Sequence, residues 1–138
     1  MKVNIERLDD AFHMRASNEN GNTIEMDTSA SHGGSGQGVS PMQLLLAGVG
    51  GCSAIDIISI LKKQKQPLGK FTIEVDGSRV DATPSVFEKI KVTYRLHGDL
   101  DENKVRKAID LSVEKYCSVS KMLEKTAEIE TAFEIIRD

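Results

Sequence analysis

The chain has 138 residues, enough for one core and not for two, so a single domain spanning residues 1–138 is expected. With 18 Lys and Arg against 21 Asp and Glu, the net charge is −3, which excludes a domain-wide basic field for nucleic acid or an anionic membrane surface. Four Phe, two Tyr and no Trp leave little to build a stacking platform for bases or sugars.

The first thirty residues alternate. Val3 and Ile5, then Phe12, Met14 and Ala16, then Ile24 and Met26 fall at period two, which predicts strands. Asn18-Glu19-Asn20-Gly21 separates the second run from the third and reads as a hairpin turn, so the chain opens with a three-stranded antiparallel meander. The amino terminus, MKVNIERLDD, has no apolar core of a secretory leader. A cytoplasmic location follows as an expectation, and there a permanent disulfide is not the default.

Residues 29–40, SASHGGSGQGVS, hold four glycines and four serines and read as a mobile loop. They match neither of the glycine-rich phosphate-binding patterns.

A long helix comes next. Ser40 suits the N-cap, Pro41 the first helical position, and Gln43 completes a capping box. The helix is predicted to run to Lys62, Lys63 and Lys65, with Pro67 and Gly69 ending it. From Leu44 to Leu61 there are 18 residues and one charge, Asp56. A membrane span of that length is rejected, because Asp near its centre costs about 2.5–3.5 kcal/mol on insertion scales. An all-round apolar helix is instead the buried centre of a core or of a subunit interface. Ala47, Gly48, Gly50, Gly51, Cys52, Ser53 and Ala54 are all small, which predicts close approach of another backbone or a ligand.

Phe71, Ile73 and Val75, then Ile90, Val92, Tyr94 and Leu96, alternate as a β-hairpin joined across Asp81–Ser85. A second helix begins near Asp101, with Val105, Ala108, Ile109, Ser112, Val113 and Tyr116 on its inner stripe and Cys117 at its end. A short third helix, Ser118 to Lys125, is expected to be capped by Ser118 or Ser120. Ala127, Ile129, Thr131, Phe133 and Ile135 form a last strand. The order is βββ-α-ββ-α-α-β, an α+β class.

The residues able to bind a metal include His13, His32, His97, Cys52 and Cys117, and none stand at ligand spacing; no metal or cofactor is expected. There is no GxSxG. Cys52 and Cys117 are either inert buried thiols or a redox pair, and composition alone favours the inert reading. Cys52 lies about three turns inside its helix, too far for the helix dipole to lower its pKa. Asp56, one turn on, is either a buried ion-pair or hydrogen-bonding partner, or the group that orients a cation beside the sulfur.

Three segments together carry a resemblance: Ser40-Pro41-Met42-Gln43-Leu44-Leu45-Leu46, Gly50-Gly51-Cys52-Ser53-Ala54, and Glu114-Lys115-Tyr116-Cys117-Ser118-Val119-Ser120. In that order, on an α+β chain with cysteines 65 residues apart, they resemble the OsmC/Ohr family of osmotically inducible and organic hydroperoxide resistance proteins, in its less characterised OsmC-like branch. The resemblance implies an intertwined homodimer around long central helices. It implies a stress-defence peroxidase in which Cys52 attacks an organic hydroperoxide, Cys117 resolves the sulfenic acid, and an external dithiol restores both thiols. The family's peroxidases carry a Glu ten residues before the first cysteine, which positions an Arg. Met42 stands there, with Gln43 beside it, and Arg15 is the nearest candidate for the Arg. The alternatives are a non-catalytic protein holding a small apolar ligand in the interfacial groove, and a structural stress protein with inert thiols.

Overall fold

A computed structural model describes all 138 residues. Its contacts fall into two compact units, Met1–Leu45 and Leu46–Asp138.

The amino-terminal unit is the expected meander: β1 (Val3–Arg7), β2 (Met14–Asn18) and β3 (Thr23–Met26), antiparallel in that order. The β2–β3 turn is organised by Asn18, whose side-chain oxygen accepts from the N–H groups of Asn20 and Asn22. Opposite registers place Arg15 beside Glu6 on one side and Glu25 on the other.

The glycine-rich segment is not the featureless loop its composition predicts. After a short 3₁₀ turn at Ala30–His32 it winds back around one carboxylate. Asp27, 2% exposed, accepts the N–H groups of Thr28 (2.7 Å), Ser35 (3.2 Å) and Gln37 (3.1 Å). Glycine here serves close approach: a methyl group at Gly34 would lie 2.1 Å from the Thr28 carbonyl oxygen. The Gln37 N–H leads the hydrogen bonds that hold the Asp27 carboxyl below the usual range, against the opposing effect of burial.

The long helix α1 spans Pro41–Lys63. Its predicted capping box forms, with Gln43 N–H on Ser40 Oγ at 3.2 Å and Ser40 N–H on Gln43 Oε1 at 2.9 Å. It stops before Lys65, which takes a left-handed φ of 56°.

The second unit contains β4 (Phe71–Arg79), β5 (Phe87–His97), α2 (Glu102–Leu111), a π-helical turn (Ser112–Tyr116), α3 (Ser118–Leu123) and β6 (Glu128–Ile136). Strand β5 is central, antiparallel to β4 and parallel to β6. A parallel pair needs a crossover, and α2, the π-turn and α3 supply it. Along β5 the buried residues Phe87, Ile90, Val92, Tyr94 and Leu96 form the centre of the core. They are joined by Val49, Ile57 and Leu61 from α1 and by Val105, Ala108 and Ile109 from α2. The close approach predicted from the small residues of α1 is made to side chains of a strand. A methyl group at Gly50 would stand 3.0 Å from Val75 Cγ2.

By length and composition α1 could cross a membrane, and 28% of its most apolar window is buried. Within one chain the buried residues are Val49, Gly50, Ser53, Ile57 and Leu61, on one stripe. On the other side Ile55 is 71% and Ile58 47% exposed. One three-stranded sheet offers the helix one surface to lie on, so the rest of its apolar circumference stays open.

Candidate active site

The second helix was expected to carry its inner stripe to Tyr116. It ends at Leu111, and the backbone passes into the wider π-turn. That turn closes with the Cys117 N–H on the Ser112 carbonyl oxygen at 2.6 Å, five residues back. Cys117 then adopts extended geometry and caps α3 with its sulfur, which accepts the Ser120 N–H at 3.4 Å. The cap is therefore a thiol, where Ser118 or Ser120 was expected. A cysteine is rarely read as a cap, and nothing in the sequence marks this one.

Cys117 is fully buried and Cys52, on α1, is half-buried; both are free. Cys52 stands close enough to Cys117 to bear on its ionisation. Burial is the main cause that pushes the Cys117 thiol up. The Ser120 hydroxyl and N–H work the other way, and the adjacent Cys52, by hydrogen bond and by charge, adds to the rise. The Ser120 hydroxyl is buried without a hydrogen-bond partner. At neutral pH Cys117 is consequently a protonated thiol.

Asp56, one turn beyond Cys52, accepts the Ser112 hydroxyl at 2.9 Å. The same hydroxyl oxygen lies 3.3 Å from the Ser53 carbonyl. Of the two readings of Asp56, the hydrogen-bonding partner is the one seen. From the other side the Tyr94 hydroxyl donates to Ser53 Oγ at 2.8 Å, and Ser53 Oγ donates to the Gly50 carbonyl at 3.1 Å. Burial, first of all, pushes the Tyr94 phenol up to about 12; Ser53 opposes this, while Cys117 and Asp56 reinforce it. The phenol is therefore a donor throughout the physiological range.

Arg15 and Gln43 belong to the amino-terminal unit. Arg15 lies 3.7 Å from Glu25, which also meets His13 Nε2 at 2.5 Å, and Gln43 closes the capping box of α1. Asp56, Ser59, Ile60, Lys63, Gln64, Leu111 and Tyr116 line a groove of about 400 Å³ that neither cysteine borders. Sequence reasoning missed the parts played by Ser53, Tyr94, Ser112 and Ser120. Tyr94 read as one more core residue of an alternating strand, and its partner is 41 positions away.

On this α+β framework a helix-borne thiol stands beside a buried thiol that caps α3. Residues 34–132 match the family model described as OsmC-like protein. The chain is 41% identical over 98 residues to Protein YhfA of Escherichia coli strain K12, covering 70% of this chain and 73% of that one. Its fold is similar to that of a hypothetical protein from Aquifex aeolicus VF5, at 30% identity and a TM-score of 0.86, covering 99% and 96% of the two chains. It is also similar to the organic hydroperoxide resistance protein OsmC of Legionella pneumophila, at 17% identity and a TM-score of 0.69, covering 97% of each. The chain belongs to the OsmC-like family.

Proposed function

We propose that this OsmC-like protein is a thiol-dependent peroxidase of organic hydroperoxides, acting in the cytoplasm as a homodimer in oxidative or osmotic stress defence. The observation that carries this reading is the pairing of an accessible thiol, Cys52, with a buried protonated one, Cys117. The Cys52 thiolate attacks the terminal oxygen of the hydroperoxide; the S–O bond forms, the O–O bond breaks, and the alkoxide leaves as the alcohol after taking a proton. Cys117 then attacks the Cys52 sulfur, hydroxide leaves as water with the Cys117 proton, and a disulfide results. An external dithiol reduces it. Arg15 is assigned as the activating cation, Gln43 as the residue beside the family's glutamate position, and Asp56 as the group that holds the π-turn through Ser112. The family's organic hydroperoxide resistance proteins, such as that of Legionella pneumophila, support the substrate class.

The homodimer is supported by the exposed apolar face of α1 and by Val3, Ile5 and Ile24, 60%, 61% and 44% exposed on the amino-terminal sheet. Monomeric proteins seldom leave so much aliphatic surface contiguous along one helix. On this reading the whole of residues 1–138 functions as one domain.

The test is a thiol count after one equivalent of cumene hydroperoxide. Wild type is expected to lose both thiols, Cys52→Ser to lose the fast step, and Cys117→Ser to stop at a sulfenic acid. Arg15→Ala is expected to slow the first step about tenfold. Retention of both thiols by wild type overturns the enzyme reading. The groove beside Asp56 and Tyr116 favours a second reading, a protein that binds a small apolar molecule without turnover. Saturable binding there with no thiol loss would select it.

A further inference from the structure

We infer that Tyr94 is a positioning residue for the thiol pair: its buried hydroxyl, through Ser53, fixes the helix turn that carries Cys52 and so sets how readily Cys52 and Cys117 close into a disulfide. The inference rests on the redox-pair reading above and adds a residue and a mechanism that reading does not contain.

The argument starts from an unusual choice of residue. Tyr94 sits at the centre of β5, opposite Ile73 on one side and Phe133 on the other, and is fully buried. Its ring stacks on Phe71 at 6.2 Å between centroids. A phenylalanine would meet every apolar demand of that position, and a buried hydroxyl costs free energy unless it is paired. Its partner is Ser53, which follows Cys52 directly and is itself fully buried. Ser53 is engaged at both ends. Its Oγ accepts from Tyr94 and donates to Gly50, and its carbonyl oxygen lies 3.3 Å from the Ser112 hydroxyl, which donates to Asp56. The Ser112 carbonyl in turn accepts the Cys117 N–H.

A path therefore runs from the sheet centre through Tyr94 and Ser53 into α1, past the backbone of Cys52, and out through Asp56 and the Ser112 hydroxyl that it accepts to the backbone of Cys117. The path fixes position where thiol chemistry is most sensitive to it, since disulfide closure requires both a short separation and a defined dihedral. Tyr94 touches no reacting atom in this account. It acts through Ser53.

The measurement that isolates this role is the equilibrium of the full-length protein with glutathione buffers. One oxidised glutathione takes two electrons from the protein dithiol, giving the Cys52–Cys117 disulfide and two reduced glutathiones. The fraction oxidised yields the effective concentration of one thiol for the other. Tyr94→Phe is expected to lower it about fivefold. Ser53→Ala breaks the same link from the helix side and is expected to lower it by a similar factor. The double variant is expected to fall no further, because the two groups act as one. The proposal is overturned if Tyr94→Phe, folded as wild type by near-ultraviolet circular dichroism, keeps the wild-type value. It is also overturned if the two effects multiply, or if wild type forms no disulfide across the glutathione range. Should Tyr94→Phe not fold, a wild-type value for Ser53→Ala overturns the proposal alone.

A peroxide arm separates this inference from the activity it builds on. With cumene hydroperoxide, Tyr94→Phe is expected to lose its first thiol at the wild-type rate while dimedone-reactive sulfenic acid accumulates. If wild type ignores the hydroperoxide but the glutathione equilibrium shifts as stated, the peroxidase reading fails and the positioning role stands.

Discussion

Ser112 donates its hydroxyl to Asp56 Oδ2 at 2.9 Å, and this bond joins the helix bearing Cys52 to the turn that ends at Cys117. The carboxylate is one helical turn from Cys52 along α1, and through this bond it ties α1 to the π-turn. Asp56→Asn keeps an acceptor for Ser112 and is expected to cost little. Asp56→Ala leaves the Ser112 hydroxyl without its nearest partner and is expected to destabilise the fold by about 1–2 kcal/mol, measured by urea denaturation. Equal losses for the two variants would show that the bond contributes nothing.

The two thiols are expected to differ sharply in reactivity. Cys117 is buried and its pKa is raised, whereas Cys52 is half-buried. Iodoacetamide at pH 7.5 should modify Cys52 first, by about tenfold or more in rate, with the site mapped by mass spectrometry. Preferential labelling of Cys117 would contradict the burial described here.

Asp27 governs the glycine-rich segment, and the sign of its pH dependence follows from its lowered pKa. A carboxyl whose folded pKa lies below its unfolded value stabilises the fold above the unfolded pKa. That contribution is lost as pH falls through the folded value. Amide exchange at Ser35 and Gln37, both bonded to Asp27 Oδ2, should therefore accelerate below pH about 4. Asp27→Asn should show the faster exchange already at neutral pH. A pH-independent protection pattern down to pH about 2 would refute the assignment.

The open side of α1 predicts the oligomeric state. Ile55, 71% exposed in the single chain, tolerates a charge without loss of fold if nothing covers it. On the homodimer reading, wild type sediments at twice the chain mass and Ile55→Glu at once the chain mass, with circular dichroism unchanged. An unchanged sedimentation value for Ile55→Glu would remove this face from the interface.

Much of the framework was legible in the residues. Ser40 and Gln43 announced α1, and alternation at Val3, Ile5, Ile90, Val92 and Leu96 announced strands, because capping and period two are local physics. The resemblance carried by the segments around Cys52 and Cys117 supplied the family. What was not legible depends on contacts distant in sequence. The π-turn has no local signature, so α2 was expected to continue to Tyr116 and it stops at Leu111. Tyr94 was readable as apolar core, but its hydroxyl gains meaning only when Ser53 is brought to it. The glycines after Asp27 suggested freedom by composition, whereas the carboxylate they surround uses them to let the backbone come close.

The cap of α3 is a sulfur atom, and this gives the fold an internal reporter. Oxygen caps are chemically mute, whereas a sulfur can be alkylated, metallated or bonded to another sulfur, each of which alters what it can accept. The amide of Ser120, bound to that sulfur at 3.4 Å, is therefore a resonance whose chemical shift and exchange rate read the state of Cys117 directly. A single backbone signal can thus follow the chemical state of a buried thiol.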